Sequence, residues 1–384
     1  MSGGVVASEA AATAPHERGW RWFVLALALM VVVTAAPAWP PALALFAAAV
    51  RVLVPIEQVA LLVLVAIAAC AVVGWWSGGR LVTALIWVAA AAWVVWKVPL
   101  PFAGYGAFLR GWAVALGASF GMVSLAAPMR PLLTRALGAV ALTGVVMGIG
   151  FWSHPEGRSD LLDAPARMLS LEYQQRLAGS LERWHVRSAS PDWQGFAARV
   201  PAAATRAQRL ETVVQALVEP VPTATVLGGS RSGPLVQLAP ALLALESLVV
   251  LALGWAAYHR LARVRIGPPL GALRDMRFND QWIWGVIVGA TVLLLPSMVE
   301  WRGVGINLLA FFGSLYALRG AGVLTWWIPD RAAGWLLGGM LVLVPVLGAI
   351  WVLAAVLSLT ITLGLGDTWR DFRAGAAMRR PPSP

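Results

Sequence analysis

Long stretches of apolar side chains, separated by short polar or charged segments, set the pattern of this chain. Nine such stretches lie at residues 22–38, 58–76, 81–96, 107–127, 132–152, 234–257, 282–299, 304–328 and 333–365. A helix of about 20 residues crosses a hydrocarbon layer, in which backbone N–H and C=O groups must be paired within the protein. The stretches lack the alternation that is typical of membrane β-barrels. The pattern therefore predicts an all-α, polytopic transmembrane helix bundle.

The composition supports a membrane protein and excludes an ordinary soluble enzyme. Of the 384 residues, 59% are hydrophobic and 12% are charged, whereas about a quarter of a typical globular domain is charged. The net charge is +11, from 29 Lys and Arg against 18 acidic residues. An excess of positive charge is typical of nucleic-acid-binding proteins, but basic residues that flank membrane helices also produce it. With these apolar stretches, we expect the lipid bilayer as the partner and no nucleic acid.

The positions of the Arg residues predict the orientation in the membrane. Residues 258–280 hold five Arg and two Asp, and Arg130 and Arg135 lie in or beside a short link between two stretches. Short loops rich in Arg stay in the cytoplasm, whereas long polar segments are translocated largely regardless of charge. Segment 153–233 is long and nearly neutral, with nine Arg and eight acidic residues. We expect it to be extracytoplasmic, with both termini in the cytoplasm.

This orientation predicts about ten spans, with nine to eleven still open. Stretch 333–365 has to cross twice to leave basic residues on the same side at both ends, and Pro345 can supply the break. Segment 39–54 is short and contains Arg51, so we expect it in the interface, although a crossing is not excluded. Residues 36–38, Ala-Pro-Ala, resemble a signal-peptidase site, so cleavage of the N-terminus also stays open.

The chain is accordingly divided into five parts. They are a disordered tail (1–20), an N-terminal transmembrane bundle (21–152), the extracytoplasmic insertion (153–233), a C-terminal transmembrane bundle (234–372) and a cytoplasmic tail (373–384). The composition, rich in Ala, Gly, Pro, Trp and Arg, is typical of GC-rich bacterial genomes. We therefore place the protein in the bacterial cytoplasmic (inner) membrane.

The insertion is predicted to form amphipathic helices. Apolar residues recur at helical spacing, with an acid–base pair at i,i+4 beside them. The stripe is Leu169, Tyr173, Leu177, Leu181 and Trp184, and the pair is Glu172 and Arg176. Ser190-Pro191-Asp192 predicts a helix start. These helices are expected on the outer mouth of the bundle, on the membrane surface or against a protein partner.

No pattern for catalysis is present. The single Cys (Cys70) and four scattered His give no metal-ligand spacing, and there is no phosphate-binding glycine loop or nucleophile motif. We predict a non-enzymatic protein with no catalytic residue, metal or cofactor.

Ionisable or polar residues inside apolar stretches are the candidate polar centre, because they are costly in lipid. Glu246 and Arg319 lie at similar predicted depths, about 18 and 22 Å from the outer ends of their stretches. Three interpretations stay open: the two residues pair and line a solute pathway, they pair only to fix helix register, or each side chain reaches water separately. Asn307 joins them as a third candidate, although helix–helix contact or capping explains it as well.

The last apolar stretch leaves the membrane through a charged motif. Asp367, Trp369, Asp371 and Arg373 form this helix exit, and the two acids share a helix face. We expect them to accept hydrogen bonds from Arg274 or Arg277 of the cytoplasmic loop.

The exit motif resembles that of the YybS-like bacterial membrane proteins, a domain of unknown function. Three further pieces are similar: residues 238–243, residues 274–282 with Asn279 in place of a proline, and residues 307–320 with Arg319 in place of a neutral polar residue. The resemblance covers about residues 153–373 well. The family is distantly similar to the substrate-binding subunits of energy-coupling vitamin transporters and to shape-determining membrane proteins.

These neighbours imply two hypotheses. The chain is a subunit that binds or transports a small solute and depends on a separate motor, since no ATP-binding motif is present. Alternatively, it is a membrane scaffold or assembly factor that binds envelope proteins through the external helices or the cytoplasmic exit.

Overall fold

The structure is a computed structural model that describes residues 56–97, 103–153, 163–218, 237–261, 267–271, 273, 276–327, 350–370 and 372. Within these ranges it is all-helical, without β-strands. The α-helices are α1 (Ile56–Trp76), α2 (Leu81–Lys97), α3 (Ala103–Ala126), α4 (Leu132–Ser153), α5 (Asp163–Ser188), α6 (Pro191–Arg199), α7 (Pro201–Val218), α8 (Ala239–Leu261), α9 (Ile283–Leu294), α10 (Arg302–Trp327) and α11 (Ile350–Trp369). Short 3-10 turns at Asp280–Trp282 and Pro296–Trp301 flank α9.

Four of the described helices are long and apolar enough to cross a membrane, which indicates a membrane protein. They are Tyr105–Ala126, Leu132–Gly150, Ala239–Arg260 and Arg302–Trp326. Shorter apolar helices include α2 and most of α11, from Ala354 to Trp369. The all-α prediction is confirmed for the described residues, whereas the total of about ten spans stays a prediction. Stretch 22–38, segment 39–54, the break at Pro345 and both terminal tails lie outside the described residues.

The predicted span 282–299 is divided in the structure. Helix α9 ends at Leu294, and Pro296 opens the 3-10 turn that leads into α10. The residue before a proline is disfavoured in the helical conformation, and proline cannot donate a backbone hydrogen bond. A helix of 12 residues is only about 18 Å long. The proline therefore shortens an apolar stretch that composition alone presents as a full span.

The centre of the bundle is formed by α1, α3, α4 and α8, which approach closely where one partner has no side chain. A methyl group added at Gly254 of α8 would lie 2.8 Å from the Ala66 Cβ of α1, and one added at Gly117 of α3 would lie 2.7 Å from Val65. Trp255 is fully buried between these helices, with its ring 6.1 Å from that of Phe120. Small residues thus allow the close contacts that hold helices together in lipid.

Helix α2 presents apolar side chains outward. Val82, Ile86, Trp93 and Trp96 are all largely exposed, although a soluble protein rarely exposes a continuous apolar face. Lipid covers such a face without cost, and Trp96 at the helix end matches the position of an interface anchor. The exposed side of α2 therefore agrees with a helix at the lipid boundary.

The insertion packs on itself through a small aromatic core. The rings of Trp184 in α5 and Trp193 in α6 meet edge to face at 4.9 Å, and Ala207 of α7 is buried against them. The predicted helix start at Ser190 is confirmed, since its hydroxyl accepts the Trp193 N–H at 3.4 Å. Leu177 is also buried, in agreement with the predicted stripe. The insertion is thus a helical unit that joins the bundle where α5 contacts α3.

Candidate functional site

Asn307 fixes the relative register of α8 and α10. Its side-chain oxygen accepts the Ala241 N–H at 2.9 Å, and its amide nitrogen donates to the carbonyls of Gln237 at 2.7 Å and Gly303 at 2.8 Å. The first N–H groups of a helix have no partner inside the helix, so Asn307 supplies one to α8. The structure therefore supports helix–helix contact and capping by Asn307, and both helices begin at the same end of the bundle. We call this the insertion end.

Arg319 forms a buried ion cluster with two aspartates, and not the predicted pair with Glu246. Its Nε donates to Asp367 Oδ2 at 2.9 Å, Nη1 donates to Asp280 Oδ1 at 2.6 Å, and Nη2 donates to the Asp367 carbonyl at 3.0 Å. The Phe278 ring lies 5.4 Å from the guanidinium carbon. Arg319 and Asp367 are both buried, whereas the Asp280 side chain is 59% exposed. The prediction of a Glu246–Arg319 pair is wrong.

The register at Asn307 explains this correction. Counted from their shared starting level, Glu246 lies five residues past Ala241, about 8 Å along α8, and Arg319 lies twelve residues past Asn307, about 18 Å along α10. The difference of about 10 Å is too large for a direct ion pair. The depths predicted from the apolar stretches were measured from ends that do not coincide in the structure.

A glycine crossing brings Asp367 to Arg319. A side chain at Gly320 would overlap the Thr360 carbonyl oxygen, and one at Gly364 would overlap the Tyr316 carbonyl oxygen, so α10 and α11 touch through their backbones. Arg319 is adjacent to this contact on α10, and Asp367 lies one turn after it on α11. The structure gives Asp367 the guanidinium of Arg319 as a partner. The expected contact with Arg274 or Arg277 stays a prediction, since Arg274 lies outside the described residues.

The rest of the exit motif is described in part. Trp369 is 74% exposed at the end of α11, as expected for an interface anchor. Phe372 lies against the position that a side chain at Gly366 would occupy. Asp371, Arg373 and Arg274 lie outside the described residues.

Glu246 faces the insertion. Its Oε1 is buried and has no hydrogen-bond partner among the residues that the structure describes. Arg176, from helix α5, is close enough to influence this carboxyl group electrostatically. One residue further along α8, Ser247 accepts a hydrogen bond from Trp112 Nε1 of α3 at 3.0 Å. Glu246 therefore lies where α3, α5 and α8 come together.

Arg176 also forms the salt bridge predicted from its spacing. Its Nη2 lies 2.5 Å from Glu172 Oε1, and the Glu172 side chain is fully buried. The sequence identified Glu172 and Arg176 as an i,i+4 pair on the side of an amphipathic helix, without a link to the bundle. The burial of Glu172 is the feature that spacing alone does not predict. We call Glu172, Arg176 and Glu246 the insertion-end charge cluster.

The chemistry of this cluster is that of binding. Two carboxylates face one guanidinium, so the three groups carry a net charge of −1 when all are ionised. Within the described residues, no group of three His, Cys, Asp or Glu is arranged to hold a metal ion. A buried carboxylate oxygen accepts hydrogen bonds from a ligand N–H or O–H group, and its charge favours a cationic group.

Comparison of the chain with protein-family models, with curated proteins and with solved structures gives no match. Its function therefore has to be inferred from the residues and contacts described above.

Proposed function

We propose that this protein is a non-enzymatic integral membrane protein that binds a small polar solute at the insertion-end charge cluster, as a subunit of a transport system. The observation that supports this proposal is Glu246 Oε1, a buried carboxylate oxygen that has no hydrogen-bond donor in the described part of the chain. Leaving such an acceptor buried and unsatisfied costs about 1–3 kcal/mol or more. A solute donor group that reaches Glu246 removes this cost.

The cluster favours a solute with an ammonium group or several N–H or O–H donors. When ionised, Glu246 and Glu172 accept hydrogen bonds but donate none. Arg176 already forms a salt bridge with Glu172. The solute would enter between α5 and the bundle, because Arg176 belongs to the insertion. Transport against a gradient would need a separate motor subunit, since the sequence has no ATP-binding loop. The resemblance to YybS-like proteins, with their distant similarity to transporter subunits, is in keeping with this role.

Glu246→Gln is expected to weaken solute binding at least about tenfold, equivalent to about 1.4 kcal/mol. The substitution keeps the shape of the side chain and removes its negative charge. Hydrogen bonds to the neutral amide are weaker than those to the carboxylate. The wild-type protein is purified in mild detergent and analysed by native mass spectrometry for a bound small molecule. The dissociation constant of that molecule is then measured for the wild type and the variant.

Glu182→Gln is the matched control, because Glu182 is an exposed glutamate of the same helix that carries Arg176. It should bind the solute as the wild type does. Absence of any bound small molecule from the wild type, or equal affinity of wild type and Glu246→Gln, contradicts the proposal.

We further propose that the protein lies in the bacterial cytoplasmic membrane, with the insertion outside and both termini inside. The opposite end of the bundle is formed by the end of α8, the start of α4 and residues 267–271, and we call it the loop end. Arg130 and Arg260 lie exposed there. Arg-rich loops of bacterial membrane proteins remain in the cytoplasm, which supports this orientation.

Cysteine labelling tests the orientation. Val186 of the insertion is 72% exposed, Met129 of the link before α4 is 82% exposed, and the native Cys70 is buried. In right-side-out vesicles, a membrane-impermeant maleimide should label Val186→Cys directly and Met129→Cys only after permeabilisation. The reverse result would invert the topology and remove the solute site from the external side.

A scaffold role is the second candidate. Leu171 and Val186 are exposed apolar residues on α5 of the insertion, and such residues occur in surfaces that bind other proteins. A protein partner that co-purifies reproducibly, without any bound small molecule, would favour this role over solute binding.

A further inference from the structure

Arg135, in the first turn of α4, is a fully buried cation at the loop end. Its exposed fraction is 0%, and its guanidinium carbon lies 4.2 Å from the centre of the Trp255 ring. Nε, Nη1 and Nη2 have no hydrogen-bond partner among the described residues. Arg319, the other buried arginine of the same half of the bundle, binds two aspartates. Arg135 therefore differs from it in lacking a described anion.

The Trp255 ring satisfies only part of what a buried guanidinium requires. Cation–π contact offsets some of the cost of removing the charge from water. It leaves the N–H donors in the guanidinium plane without acceptors, and a guanidinium carries five of them. A buried charge is stable in proteins when it is both paired and hydrogen-bonded. The geometry thus calls for an anion with oxygen acceptors in or near that plane.

The surroundings at the loop end also favour an anion. Arg130 precedes α4, and Arg260 lies in the last turn of α8. The start of a long helix adds the positive end of its dipole and N–H groups that lack intrahelical acceptors. Among the described residues, the acids of this half are Asp280 and Asp367, and both bind Arg319. The local potential is therefore positive.

The depth of Arg135 in the membrane narrows the class of anion. The candidate span of α4 begins at Leu132, so Arg135 lies less than one turn inside it, where lipid headgroups meet the hydrocarbon layer. Basic sites between membrane helices at this depth bind phosphate-containing headgroups. A phosphate group has several oxygens that accept from a guanidinium fork and from a helix start at once.

We propose that Arg135 and the start of α4 bind a phosphate-type oxyanion beside Trp255, supplied by an anionic phospholipid headgroup or by free phosphate.

Residues 267–271 cover the guanidinium in the described structure. Gly267, at φ +67°, comes so close that a methyl group there would lie 3.3 Å from Arg135 Nη2. Hydrogen bonds hold this cover to α8, through the Pro268 carbonyl and Trp255 Nε1 at 3.1 Å and the Gly267 carbonyl and His259 Nε2 at 3.4 Å. The oxyanion reaches Arg135 when the cover lifts. This site is independent of the solute site at the insertion end.

The test compares the melting temperature of the full-length protein in three environments. These are phosphatidylcholine vesicles, vesicles of equal parts phosphatidylcholine and phosphatidylglycerol, and phosphatidylcholine vesicles with inorganic phosphate against chloride at the same ionic strength. A ligand that binds only the folded state raises the melting temperature. The wild type should be stabilised by several degrees in the second or third environment, and the environment that acts identifies the source of the phosphate group.

Arg135→Gln should lose this increase. Arg209→Gln, which removes an exposed arginine of α7 in the insertion, should keep it. Arg135→Lys keeps the positive charge but lacks the planar guanidinium, and it is used if Arg135→Gln does not fold. The ligand should raise the melting temperature of Arg135→Lys clearly less than that of the wild type. The proposal is overturned if neither phosphatidylglycerol nor phosphate stabilises the wild type, or if Arg135→Gln and Arg135→Lys keep the full increase. Asp275 is the second acid of the loop 258–280. The proposal is also overturned if Asp275→Asn destabilises the protein in every environment as much as Arg135→Gln does, because Asp275 would then be the counterion of Arg135.

Discussion

Gly320→Ala is expected to prevent stable packing of α10 on α11. The Cβ of the new side chain would overlap the Thr360 carbonyl oxygen, which belongs to a rigid helix backbone and cannot rotate away. Overpacking of a tight contact costs about 1–3 kcal/mol and more where backbone must move, so we expect a loss of about 3 kcal/mol. Fluorescence-detected size-exclusion chromatography after heating in detergent measures the loss as a lower melting temperature and a smaller folded peak.

Gly313→Ala is the control for this prediction. Gly313 lies on the same helix and faces the same neighbour, but its nearest contact would be Ile361 Cδ1 at 3.9 Å, an ordinary van der Waals distance. Alanine there should leave the melting temperature unchanged or raise it slightly, since alanine is the better helix former. Equal stability of the two alanine variants would mean that α10 and α11 do not cross at Gly320.

Arg319→Gln is expected to destabilise the protein by about 3–5 kcal/mol, as measured for broken buried ion pairs. The substitution leaves the Asp367 carboxylate buried without its cation, since the Asp367 side chain is only 2% exposed. Asp367→Asn should have a comparable effect, because it removes the buried carboxylate that accepts from Arg319 Nε. The double variant should be clearly more stable than the sum of the two single losses predicts, since both charges are then absent. Thermal melting in detergent measures all three.

Two further variants separate this cluster from the pairs that the sequence suggested. Arg277→Gln should have little effect, because Arg277 is exposed, whereas a large loss would make it the partner of Asp367. Glu246→Gln and Arg319→Gln should have additive effects, because residues about 10 Å apart with no shared partner rarely couple. Strong coupling between these two would restore the Glu246–Arg319 pair and contradict the register set by Asn307.

The helices themselves were largely predictable. The stretch 132–152 corresponds to α4 (Leu132–Ser153), and 81–96 corresponds to α2 (Leu81–Lys97). Apolar runs of this length and composition have few alternatives to helix in lipid, so local composition is enough. The helical insertion and its Ser190 start were predictable for a similar reason, since side-chain spacing and capping depend on neighbours within one or two turns.

For the candidate site, the sequence identified individual residues but not the contacts between them. Glu246 and Arg319 stood out because each is an ionisable residue in an apolar stretch. Asp367 did not stand out as the partner of Arg319, because it lies 48 residues further along the chain. Arg135 was treated only as part of a basic link that sets orientation, and its burial against Trp255 has no signature in local spacing.

Composition and spacing along the chain predict that it forms apolar helices and a polar helical insertion, and they identify the charged residues that lie within apolar stretches. The tertiary structure alone decided which of those charges meet. The physical reason is that an ion pair requires its atoms within about 4 Å, while a shift of one helical turn moves a side chain by about 5 Å. Asn307 and the Gly320–Gly364 crossing set those shifts through contacts between distant segments, and they direct Arg319 to Asp367.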